Sequence, residues 1–156
     1  MLVLRFRKIN DHTGLTLIEL MIVIAIVGIL ASIAAMNFMS YIEKARIARA
    51  VAEIKNIEKS ILAFNASEGR WPDNLSEAGA GGMIDPWGNP YQYMPVQGSS
   101  PGKLRKDRSL VPINSDFDLY SMGRDGRSVT PLTAKASQDD VIRANNGGYV
   151  GLAKYY

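Results

Sequence analysis

The stretch from Gly14 to Ala35, GLTLIELMIVIAIVGILASIAA, limits what this chain can become more than any other feature. Apart from Thr16, Glu19 and Ser32, its side chains are apolar or, at glycine, absent. As a helix rising about 1.5 Å per residue, Leu15 to Met36 has about the length needed to cross a hydrocarbon core of about 30 Å. The run therefore predicts a membrane-spanning helix, and Glu19 is its anomaly. A charged group in a spanning helix costs at least about 2.5 kcal/mol on insertion scales, so it has a partner, a function, or a place at the membrane edge.

The residues before the run carry Arg5, Arg7 and Lys8 and close on Thr13-Gly14. In an ordinary secretory signal the cleavage site follows the apolar region. Here the glycine precedes it, so a cut after Gly14 leaves the apolar run on the mature chain. The clustered bases hold this end in the cytoplasm and send the C-terminal part across. Such a cut frees an α-amine on Leu15, one helical turn from Glu19, and the amine of a neighbouring copy would neutralise the carboxylate. In a plain signal anchor, Glu19 would simply lie at the cytoplasmic interface.

Composition narrows the function. The formal charge of +3 falls to +1 once the segment holding Arg5, Arg7, Lys8 and Asp11 is removed, so a bulk attraction to nucleic acid is not supported. With no cysteine, neither a disulfide nor a thiolate zinc site is available. The single histidine, His12, leaves with the first segment, which removes the commonest general base and argues against an enzyme. The basic cluster Lys103, Arg105, Lys106 and Arg108 is interrupted by Asp107 and reads as a solvated loop.

Past Asn37 the pattern turns amphipathic. Ile47, Val51, Ile54, Ile57, Ile61 and Phe64 step by three or four residues, and charged residues fill the other faces. One helix is predicted from about Leu17 to Ala66, a rod of roughly 75 Å, ended by Gly69 and Pro72. Its stripe needs a sheet to pack against. DPWGNPYQYMPV supplies a turn and a strand, and DFDLYSMG, Asp116–Gly123, a second strand with Phe117, Leu119 and Ser121 on one face. The expected fold is α+β: a long N-terminal helix on a small antiparallel sheet. The tail from Val141 is expected to pack back on that sheet.

The N-terminal stretch resembles the processing site and first helix of type IV pilin-like proteins, the pilins and the pseudopilins of type II secretion. The resemblance implies a leader over 1–14, cleavage by a prepilin peptidase between Gly14 and Leu15, N-methylation of Leu15, and Glu19 as the carboxylate that meets a neighbour's amine during assembly. It divides the chain into the leader, an assembly half of the helix over 15–36, an amphipathic half over 37–68, and a head over 69–156. Leu15 stands where phenylalanine is usual. Met36 stands where many members have proline, which leaves Gly28 as the helix's weak point.

DPWGNPYQY followed by DLYSMGRDG is similar to the major pseudopilin of type II secretion, so the likeness covers most of the chain. That subfamily closes its head with calcium, which takes six to eight oxygens. The resemblance marks Asp125 as the first carboxylate, with Asp139 and Asp140 for the later ones and Ser128 and the carbonyls of Ser121 and Met122 as additions. Asp139 and Asp140 read equally well as caps of a helix beginning near Val141. The implied protein is a single-pass inner-membrane subunit with its head in the periplasm. It would polymerise with itself and other pseudopilins on an assembly platform driven by a motor ATPase, this chain having no P-loop. A type IV pilin of a surface fibre is the alternative.

Overall fold

A computed structural model describes residues 14–156, without the side chains of 34–37. Apart from Gly14, the expected leader, with His12, lies outside the described residues. The chain divides into two compact units, the first ending at Tyr41 and the second spanning Ile42–Tyr156. A helix, α1, runs Leu17–Glu68 and contributes to both. It ends at Gly69, whose φ of 68° is the left-handed turn that glycine adopts without a Cβ penalty.

In the first unit, the apolar side chains of α1 are exposed all round, from Leu17 at 79% to Ile33 at 54%. Among the described residues, α1 is the one helix long and apolar enough to cross a membrane.

In the second unit, α1 presents Ala50, Ile54, Ile57 and Ile61, all buried, with Ile47 and Val51 packed beside them. From Ile47 to Ile61 the expected stripe is therefore the helix's contribution to the core, while Phe64 is only half-buried, under the Arg70 guanidinium. The stripe meets a four-stranded antiparallel sheet of order β1-β2-β3-β4, made of β1 (Gln92–Pro95), β2 (Phe117–Ser121), β3 (Val141–Ala144) and β4 (Tyr149–Leu152). Tyr93 pairs with Leu119, Tyr120 with Ile142, and Ile142 with Gly151.

Alternation along the strands builds two cores, since successive side chains point to opposite faces. Phe117, Leu119 and Val141 join the helix stripe. Ile142 and Ala144 face the other way, toward Ile113, Leu132 and Ala153. The last two strands correct the sequence reading in two places. Val141 opens a strand, so Asp139 and Asp140 cap no helix there. The tail does more than pack back on the sheet, because it supplies β3 and β4.

Ile57→Ala is expected to destabilise the protein by about 2–5 kcal/mol, because a large side chain leaves a filled core. Leu62→Ala, at a position 44% exposed, should change stability by about 0.5 kcal/mol or less. Urea unfolding of the detergent-solubilised chain checks both, with Trp71 and Trp87, which pack on this core, as reporters.

Candidate functional site

The first group of candidate residues lies at the start of α1. The Thr16 backbone N–H and hydroxyl both donate to Glu19 Oε2 at 2.8 Å, and the Glu19 N–H donates back to Thr16 Oγ1 at 3.3 Å. This reciprocal pattern is a capping box, which satisfies amides that the first helical turn leaves without partners. The signal, Thr-x-x-Glu before an apolar run, is present in the sequence at 16–19; weighing Glu19 only as a charge in lipid passes over it. The carboxylate is thereby held at the helix end, beside the first peptide that cleavage after Gly14 would leave. At Gly14 a Cβ would meet nothing within 4 Å, so the fold itself makes no demand for glycine there.

The second group lies around the segment joining β2 to β3. Its foundation is the turn DPWGN, where Asp85, 3% exposed, accepts the N–H groups of Trp87 at 3.0 Å and Asn89 at 2.8 Å. The other oxygen of Asp85 accepts the Ser121 hydroxyl at 2.5 Å. Asn89 then donates from its amide to the Gly123 carbonyl at 3.0 Å. Gly123 is at φ 63°, and a Cβ there would fall 2.3 Å from the Asp139 carbonyl oxygen, so only glycine lets the two strands' ends approach. In the sequence, Asp85 and Asn89 read only as residues of the DPWGN turn. Their partners lie 36 and 34 residues away, and no local pattern announces them.

The residues marked for calcium separate into two sets. Asp125 is exposed; its N–H donates to Asp139 Oδ2 at 3.1 Å and its Oδ1 accepts the Arg127 N–H at 2.8 Å. Asp140, by contrast, is fully buried and paired with Arg105, while the Ser128 hydroxyl donates to Asp140 Oδ2 at 2.6 Å. Burial pushes the Asp140 carboxyl up to about 6, against the pull of the Ser128 hydrogen bond and the Arg105 charge. Ser121, whose main-chain carbonyl is the atom marked, ends β2 with its hydroxyl donating to Asp85, and Met122 follows it, half-buried. Among the described residues, no three acidic or histidine side chains converge as metal ligands. As arranged, Asp140 and Ser128 face the Arg105 guanidinium, while Asp125 and Asp139 meet through a backbone amide.

Arg105 also corrects the reading of its cluster as a solvated loop, since it is 2% exposed. Its guanidinium carbon lies 4.4 Å from the centroid of the Tyr120 ring. Lys103 and Arg108 are exposed.

Comparison with known proteins bears on both groups. The prokaryotic N-terminal methylation motif matches residues 9–35, a span that includes Gly14, Leu15 and Glu19. Over 140 residues the chain is 34% identical to the type II secretion system core protein G of Aeromonas hydrophila, covering 76% of this chain and 87% of that one. The chain belongs to the type II secretion core protein G family. Core protein G of Vibrio cholerae is 32% identical over 141 residues, 78% of this chain and 86% of its own length. The fimbrial protein of Neisseria meningitidis serogroup B is 29% identical over 143 residues, 84% of this chain and 82% of that one. No solved structure matches the chain significantly. For this member of the core protein G family, the α+β architecture and the membrane-competent helix agree with the type IV pilin-like fold expected from sequence.

In this core protein G family member, Asp85→Ala leaves three donors without their acceptor, at roughly 1–3 kcal/mol for each that stays buried. It should therefore lower stability by about 2 kcal/mol or more. Asp125→Ala, on the exposed part of the same loop system, should cost about 0.5 kcal/mol or less. Parallel urea titrations of the two variants check the contrast.

Proposed function

We propose that this chain is the main structural subunit of a periplasmic pseudopilus that drives the export of folded proteins by type II secretion. It is made as an inner-membrane precursor with its first residues in the cytoplasm and its second unit in the periplasm. A prepilin peptidase cuts between Gly14 and Leu15 and the new amine is methylated. The single observation that carries this reading is the conjunction of that motif with identity to core protein G proteins over three quarters of the chain.

The physics of assembly follows from the first unit. A helix apolar on every side is stable only in lipid or among other apolar helices. Polymerisation exchanges the first for the second, drawing helices out of the bilayer into a filament core, with an assembly platform and a motor ATPase supplying the work. Glu19 would otherwise be carried into that core unpaired, at a cost of several kcal/mol. Pairing with the amine of a neighbouring subunit removes this cost and sets the axial register between copies. Other pseudopilins would join through the same helix end.

The likeness to a meningococcal fimbrial protein favours a second reading, a pilin of a surface fibre, built by the same N-terminal chemistry. Deleting the gene separates the two: loss of specific proteins from the culture medium with surface fibres intact is the expected result. Normal secretion with missing fibres would move the chain to the pilins.

The role of Glu19 has its own test. Glutamine keeps the capping box with Thr16 but has no charge. Glu19→Gln and Glu19→Ala should both insert and be cut normally, yet yield less than about a tenth of the sedimentable filament. Normal filaments from the glutamine variant would reduce Glu19 to a helix cap.

A further inference from the structure

The segment before β2 delivers one side chain into the oxygens marked for a metal. We propose that the guanidinium of Arg105 is the built-in cation that closes the segment between β2 and β3, so that this head folds and remains stable without calcium.

The contacts define the role. Arg105 Nη1 donates to the Ser128 hydroxyl oxygen and, at 2.6 Å, to the Val129 carbonyl, while Nη2 donates to Asp140 Oδ2. A carboxylate, a hydroxyl and a main-chain carbonyl are the donor types that calcium gathers. Two of the three, from Asp140 and Ser128, belong to residues the family resemblance assigns to the metal. They converge instead on a planar cation whose side chain is 3% exposed, against an Asp140 side chain at 0%. The Tyr120 ring lies against the guanidinium as a further cation-binding surface.

The arginine is also held in place through its backbone. Its N–H donates to the buried Asp118 carboxylate at 2.7 Å, and its carbonyl accepts the Ile113 N–H at 3.1 Å. The next residue, Lys106, donates to the Thr130 carbonyl and accepts from the Leu132 N–H, both at 2.9 Å, so the strap lies alongside the segment it closes. On the other side, Ser137 exchanges hydrogen bonds with the backbone of Val129, and the Asp140 carbonyl accepts the Ala153 N–H at 2.9 Å. The cation is thus delivered along a pinned path to an acceptor set that is itself pinned.

A metal ion entering here would have to displace a buried guanidinium and leave it without its carboxylate, which is strongly unfavourable. Asp140 Oδ1 is the one oxygen of that pair without a protein partner, as Arg105 Nε is the one such nitrogen. A single carboxylate oxygen falls well short of a calcium shell. Asp125 and Asp139 are engaged by backbone amides on the more exposed side of the loop.

The test uses the full chain in detergent micelles. Its melting temperature is measured in millimolar calcium chloride and in EGTA, with calcium binding followed by calorimetry. The expected result is a shift below about 1 °C between the two conditions and no titratable heat, since a ligand stabilises only through what it binds. Arg105→Met, which strands Asp140 in the interior, should melt at least about 10 °C lower than the parent in EGTA. A parent protein that melts several degrees higher in calcium, or that binds it stoichiometrically, overturns the proposal; so does an Arg105→Met variant with the parent's melting temperature in EGTA. Should that variant fail to fold, the calcium comparison on the parent still decides.

Discussion

The second unit depends on a cation in its interior. Arg143, on β3, is 1% exposed and grips Asp116 with both ends of its fork, Nη1 to Oδ1 at 2.8 Å and Nη2 to Oδ2 at 2.7 Å. Its Nε–H donates to Glu58 on α1 at 2.7 Å, Nη1 also donates to the Phe117 carbonyl at 3.1 Å, and the guanidinium carbon lies 3.9 Å from the centroid of the Phe117 ring. One side chain therefore ties helix to sheet, and the third strand to the entry of the second. Such a group is costly to desolvate, and the attraction offsets that cost only when geometry is good and the donors are met. Breaking such a pair from one side typically costs about 3–5 kcal/mol, a large part of a domain's whole stability.

Around this tie the unit uses two kinds of cohesion. Ile54, Ile57, Ile61 and Phe117 bury apolar surface, worth about 1.5–3 kcal/mol for each side chain, without specifying a unique register. Register comes from the polar groups. Asp85 holds its own turn and Ser121, Tyr91 donates to Glu53 at 2.6 Å, and Trp87 donates to Glu43 at 3.2 Å. Each links residues far apart in the chain, so a slipped strand would leave several buried partners unmatched. In a head with no disulfide, these contacts carry the specificity that a covalent cross-link would otherwise supply.

What the sequence reveals follows the range of the interaction that fixes it. The helix is legible because spacing by three and four residues is written locally, and Ile54, Ile57 and Ile61 are buried as that spacing requires. The N-terminal methylation motif is legible because a glycine, a carboxylate four residues beyond Leu15 and an apolar run coincide in one short stretch. The strands Gln92–Pro95 and Phe117–Ser121 follow from their aromatic residues. By contrast, β3 and β4 are short and flank Asn145 and Asn146, both in the left-handed region, so the tight hairpin reads as a tail. Arg105 and Arg143 look like ordinary surface charges, because Asp140 and Glu58 lie 35 and 85 residues away and only folding brings them near.

The all-round apolar surface of α1 between Leu17 and Ile33 has a consequence for how a polymer of this subunit begins and ends. A one-sided stripe is satisfied by a single partner and would stop at a pair. A helix greasy on every side needs a ring of neighbours, so each newly recruited copy arrives with one flank still bare. Within the cell envelope, only the bilayer offers that flank an apolar cover. In the pseudopilus proposed above, the youngest end would therefore stay rooted in the membrane, and extension from below would lift the older subunits outward with every addition.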